Sequence, residues 1–225
     1  MRVLASLLPS PAPAPLTPSR AGASIDSFSF FFAFYGLILG LAVTELLGGF
    51  ARLVRARALR KVEPQTALVA LVTLIFLCAT WLDAWDSLQS IRLDLADLWA
   101  PVLMVICYYL AAAVIFPHDE ADHERLADYY RERRPFIMTM LFAACLLEIY
   151  ITRASLLAAL ERNPPSFWLW YLPFNIAIGG SLLALIFVRS RTANLVLLAL
   201  LILLVIVPYW SNGGLGRIVT HAFGY

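Results

Sequence analysis

The chain has 225 residues, 61% of them apolar and only 14% charged, with a formal net charge of +2. Soluble domains are about 45–50% apolar and about 25% charged, so this composition excludes a water-soluble globule and makes the lipid bilayer the expected solvent and partner. A net charge this small gives no footing for a nucleic-acid partner.

Residues 1–25, "MRVLASLLPSPAPAPLTPSRAGASI", are rich in Pro, Ala and Ser. The apolar piece VLASLL is shorter than the roughly 7–15 residues of a signal-peptide core, so this segment is expected to be a disordered tail. Residues 26–212 hold six apolar stretches, at about 27–51, 66–88, 97–116, 135–158, 167–188 and 193–211. At about 1.5 Å per residue each is long enough to cross a hydrocarbon core of about 30 Å. None shows strand alternation. The expected fold is therefore all-α, a polytopic bundle of six transmembrane helices, followed by a short tail at 213–225.

The first stretch carries small residues at helical spacing: Ser29, Ala33, Gly36, Gly40, Thr44 and Gly48. Such a face lets another helix approach closely where lipid offers no hydrophobic drive. The Gly36/Gly40/Thr44/Gly48 part is the expected contact for a second copy or another membrane subunit. Glu45 lies beside this face and is expected to point into the bundle, roughly 9 Å from the nearer boundary. Pairing with Arg52 or Arg55 there would satisfy it.

The second stretch ends in "WLDAWDSL", which puts Asp83 and Asp86 on one helical face. Counted along the helices, Asp83 and Arg153 of the fourth stretch lie at matched depth, roughly 26 and 27 Å from the basic side. An Asp83–Arg153 ion pair is expected, with Asp86 or Arg92 nearby. It would serve either as a clamp between two helices or as the outer mouth of a polar pathway.

The segment "PHDEADHERLADYYRERRP" (117–135) is the one polar loop with ligand-like density. Asp119 and His123 fall one helical turn apart and form a weak metal candidate. The two histidines are five apart, however, and a zinc helix needs four. A solvated helix with acids in its first turn and arginines in its last explains the same residues.

Glu148, in "LFAACLLEIYITRAS", is harder to place. It lies roughly 20 Å along the fourth stretch, slightly past the midplane, where a charge costs about 2.5–3.5 kcal/mol on insertion scales. Arg153 is five residues on and faces elsewhere, so Glu148 needs company from another helix. Asn175, in "YLPFNIAIGGS" of the fifth stretch, falls at nearly the same depth. Pro173 and the Gly179–Gly180 pair suggest that this fifth helix is broken beside the acid.

Orientation follows from the arginines. Eleven of the 17 basic residues fall in alternate loops (Arg52–Lys61, Arg125–Arg134, Arg189 and Arg191). This places those loops in the cytoplasm and both termini outside. Trp81, Trp85, Trp99, Trp168 and Trp170 gather at the opposite ends, as an interfacial belt does.

Several chemistries are excluded by absent residue types. Lys61 is the one lysine and lies in a loop, so no retinal Schiff base can form within the bundle. His118, His123 and His221 all lie outside the stretches, which removes bis-His haem and a base for Ser181. Cys78, Cys107 and Cys145 sit inside apolar runs without CxxC spacing and read as buried, inert thiols. No Walker A or dinucleotide fingerprint occurs, and no cofactor is expected. The chain reads as an integral protein of an inner membrane with a structural, accessory or complex-subunit role. The alternatives are a small transporter or channel, proton-coupled through its buried carboxylates, and a membrane-embedded enzyme without an evident nucleophile.

Overall fold

The computed structural model describes residues 20–55, 62–88, 95–117, 126–162, 165, 168–169 and 172–210, with side chains placed at most of these. Six long helices account for nearly all of them: α1 (Arg20–Arg55), α2 (Pro64–Leu88), α3 (Leu95–Ile115), α4 (Leu126–Arg162), α5 (Leu172–Phe187) and α6 (Arg191–Trp210). Four contain stretches long and apolar enough to cross a bilayer: Ser29–Arg55, Pro64–Ala84, Leu98–Ile115 and Asp128–Arg153. The apolar parts of α5 and α6, Leu172–Phe187 and Arg191–Ile206, are shorter, spanning about 24 Å each.

The helix ends differ from the sequence expectation in three places, each for a reason of proline chemistry. Helix α1 begins at Arg20, inside the segment expected to be a disordered tail, because Pro18 is the last breaker before Pro64. Helix α4 runs through Pro135, which was expected to separate loop from span. A mid-helix proline loses one backbone bond and meets the carbonyl of the preceding turn, but here that turn is solvent-exposed at Arg131 and Glu132 and can relax. Thr139 Oγ1 donates to the Pro135 carbonyl at 2.7 Å. Among the described residues the fifth helix shows no break. Pro173 falls in the first turn of α5, where its missing N–H would have had no helical acceptor, and the helix continues through Gly179–Gly180.

Start signals are local and simple. Pro64 occupies the first position of α2, with the Ala67 N–H donating to the Glu63 carbonyl at 3.2 Å. Ser190 caps α6, its Oγ accepting from the Ala193 N–H at 3.4 Å. Arg52 and Arg55 close α1, where cations suit the negative end of the helix dipole.

The helices close into a ring in the spatial order α1–α3–α4–α5–α6–α2, and α2 also touches α3 and α4. The core is built from one stripe of each helix: Phe31, Tyr35, Leu39, Ala42 and Leu46 of α1, for example, against Val105, Tyr108 and Ala112 of α3. The outer surface is equally apolar. Phe30, Leu37, Leu41, Leu71, Leu103, Leu146, Leu183 and Leu203 are all exposed, far more outward hydrocarbon than a soluble protein tolerates.

Residues from four helices meet at the basic end. Gln65 Nε2 donates to the Arg191 carbonyl at 3.2 Å, and Arg191 pairs with Glu63 at 3.6 Å. Tyr129 donates to the Val114 carbonyl at 3.1 Å, and Asn194 Nδ2 donates to the Tyr130 hydroxyl at 3.0 Å. The starts of α2, α4 and α6 thus gather with the end of α3, as antiparallel neighbours must.

The closest helix approach uses a glycine outside the small-residue stripe. A Cβ on Gly49 would lie 2.7 Å from Phe116 Cδ2 and 2.8 Å from its Cβ, whereas one on Gly48 would meet only Arg52 Nη1 at 3.8 Å. Gly49→Ala is therefore expected to destabilise the fold by about 1–3 kcal/mol, the usual range for overpacking, and Gly48→Ala to leave it nearly unchanged. Thermal unfolding of the two variants in detergent checks the contrast.

Candidate intramembrane polar site

The inward stripe of α4 runs Ile137, Met138, Leu141, Ala144 and Cys145, and the next turn on that face is Glu148, half-buried. Helical spacing thus carries the carboxyl inward, as its cost in lipid demands. What it meets comes from three other helices. Tyr35 of α1 and Asp83 of α2 both lie within electrostatic reach of each other and of Glu148, and Tyr108 of α3 lies within reach of Glu148 and Tyr35.

One hydrogen bond across helices sets this geometry. Thr80, one turn before Asp83 on α2, donates its hydroxyl to Tyr108 Oη at 3.1 Å, and both residues are buried. Tyr35 is fully buried, and its hydroxyl has no hydrogen-bond partner among the described residues. A phenol sealed from water without a partner loses about 1–3 kcal/mol. Aromatic neighbours fix the rings: Phe31 stands 6.1 Å from Tyr35 and Phe76 stands 6.4 Å from Tyr108, centroid to centroid.

The expected site residues divide accordingly. Glu148 and Asp83 are brought together, Asp83 from an exposed position toward the aromatic end of α2. Arg153 is exposed and held on its own helix, donating to the Tyr150 carbonyl at 2.7 Å and stacking over the Tyr150 ring at 4.1 Å. That ring in turn lies 5.5 Å from Trp99. Asn175 is half-buried on α5, which packs along α4. Glu45 is half-buried on α1, roughly 15 Å along the helix from Tyr35, and so belongs to a different level of the bundle. The side chain of Asp86 and all of Asp119 and His123 lie outside the described residues.

The small-residue face is turned outward at four of its six positions, while Gly36 and Gly48 are half-buried and a Cβ on Gly36 would lie 3.7 Å from Trp81 Nε1 of α2. Ser29, Ala33, Gly40 and Thr44 are exposed, and nothing among the described residues comes within 4 Å of a Cβ placed on Gly40. Thr44 turns its hydroxyl back to the Gly40 carbonyl at 2.8 Å. Cysteines also depart from expectation: Cys107 and Cys145 are buried, but Cys78 is exposed on the outside of α2.

Tyr35, Thr80 and Tyr108 were not singled out from the sequence. The available signal was period: Tyr35 falls on the same stripe as Phe31, Leu39 and Leu46, and Thr80 lies three residues before Asp83. Among the described residues no three His, Cys, Asp or Glu side chains are grouped to hold a metal ion. The arrangement gives a half-buried carboxyl a second carboxyl within electrostatic reach and the hydroxyls of Tyr35 and Tyr108 as neighbours. No known protein family, curated protein or solved structure matches this chain.

Proposed function

We propose that this chain is a six-span protein of the inner membrane, with its basic loops in the cytoplasm and both termini outside. In this reading it is a small proton-coupled transporter. The observation that carries it is the convergence of Glu148, Asp83, Tyr35 and Tyr108 from four helices, with a sealed Tyr35 hydroxyl left unpartnered. A half-buried carboxylate within electrostatic reach of a second, exposed one is repelled by it, so the pair favours a proton or a bound cation. Glu148 with Asn175 forms the central site, Asp83 with Asp86 and Arg153 the outer mouth, and Glu45 the inner exit.

Buried carboxyls in spans serve proton relays and substrate sites far more readily than packing, because hydrophobic residues pack without the desolvation penalty. The test is pH-driven proton flux into vesicles holding the purified protein, wild type against Glu148→Gln. Flux present in the first and lost in the second supports the reading.

A second reading, an accessory subunit of a membrane complex, draws on the open face of α1. Ser29, Ala33, Gly40 and Thr44 present backbone rather than side chains to lipid, which suits a partner helix of a second copy or another subunit. Single cysteines at Ala33 and Gly40 are expected to crosslink under oxidation in native membranes, whereas one at Leu71 on α2 is not. Equal crosslinking at all three positions removes the specific face.

A further inference from the structure

A second polar cluster lies at the basic end of the bundle, away from Glu148 and independent of the transport reading. Arg134 of α4 is only 8% exposed, and its Nε is sealed without a hydrogen-bond partner among the described residues. Thr66, in the first turn of α2, is 1% exposed, and its hydroxyl is likewise sealed and unpartnered. Two buried donors without acceptors at one end of a bundle are unusual, because each forfeits its hydration without replacement.

The surroundings are built to hold these groups in place. Tyr130, one turn before Arg134 and within its electrostatic reach, is locked to Asn194 in the first turn of α6, both side chains being buried. Gln65, beside Thr66, is tied to the Arg191 carbonyl at the start of α6. The first turns of α2 and α6 therefore stand side by side next to α4, and the positive ends of their helix dipoles add to the potential of Arg134. Among the described residues, three acids near this end are engaged or exposed. Glu63 pairs with Arg191 and Asp128 with Arg131, while Glu132 is exposed on another side of α4.

We propose that this end of the bundle holds a phosphate group, bound by the Arg134 guanidinium and the Thr66 hydroxyl at the paired N-termini of α2 and α6. Arginine with helix N-termini is the usual donor set for phosphate oxygens. Pro135 and the apolar run after it begin the hydrocarbon-compatible part of α4, so Arg134 sits at the level of lipid headgroups. Both an anionic phospholipid and a dissolved phosphate offer this chemistry, and the experiment separates them.

Full-length protein is placed in bilayers of phosphatidylcholine alone, or of phosphatidylcholine and phosphatidylglycerol in equal parts, and its thermal unfolding is followed by tryptophan fluorescence. The same scan in phosphatidylcholine is repeated with inorganic phosphate. A higher midpoint with phosphatidylglycerol, absent in Arg134→Gln and retained in the exposed-charge control Arg189→Gln, assigns the site to a lipid headgroup. A rise with inorganic phosphate in phosphatidylcholine, also absent in Arg134→Gln, assigns it to a dissolved anion. The half-saturating anion level is expected to rise about tenfold in Thr66→Val, as for loss of one charged hydrogen bond. That variant also serves if Arg134→Gln fails to fold. The proposal is overturned if the wild type responds to neither anion, or if the response survives unchanged in both variants.

Discussion

Vesicles carrying Glu148→Gln are expected to show no more pH-driven proton flux than empty vesicles, while wild-type vesicles acidify. Glutamine keeps the shape and most of the hydrogen-bonding capacity of glutamate but can neither take nor release a proton at neutral pH. It also removes the repulsion between Glu148 and Asp83 and the burden of a half-buried carboxylate. The variant should therefore fold at least as well as the wild type, so lost flux cannot be blamed on lost structure. Asp83→Asn is expected to have a smaller effect, because Asp83 is exposed and water at the mouth can stand in for it. Equal flux in wild type and Glu148→Gln would take Glu148 out of any pathway. Absence of flux from the wild type itself would favour the subunit reading, in which the carboxyl contributes only to packing.

How much of this was legible beforehand depends on what kind of information each feature carries. The inward turn of Glu148 follows from the cost of a carboxylate in lipid together with a helical stripe, and both can be read along one helix. The partner of that carboxyl cannot. Depth counting set Asp83 against Arg153, and what the structure adds is a contact within one helix. In the structure Arg153 bends onto the ring and carbonyl of Tyr150, three residues away, a local bond that needs no second helix. Tyr35 and Tyr108 were invisible for a related reason, since an aromatic on a buried stripe looks like core until another helix supplies a carboxyl beside it.

The glycines show the same division. The Gly36/Gly40/Thr44/Gly48 spacing was plain in the sequence, but which face of α1 turns toward the other helices was set by the larger side chains of Phe31, Tyr35 and Leu39. Those bury more area, so they took the interior and left the small face outside. Among the described residues, the one glycine that meets a neighbour tightly, Gly49 against Phe116, lies on the buried side. Proline also misled in proportion to its context. At Pro173 the expected break became a helix start, and at Pro135 an exposed preceding turn let the helix continue.

Tyr35→Phe is expected to raise the stability of the protein by about 1–3 kcal/mol while lowering proton flux. The opposite signs make this the sharper test of the site. The hydroxyl is sealed in the core without a partner, so its removal recovers the desolvation penalty and leaves the ring contact with Phe31 intact. If Tyr35 were only a packing residue, phenylalanine would be the better choice on every count. A hydroxyl at a cation or proton site has a use when the site is loaded, because it can accept from a proton carrier or ligate a cation through its lone pairs. The gain in the unloaded protein should then come with a loss in transport. Measuring unfolding midpoint and flux on the same preparation decides between these outcomes. A variant that is more stable and equally active would make Tyr35 a flaw in packing, and one that is less stable would mean that the hydroxyl already has a partner such as an ordered water.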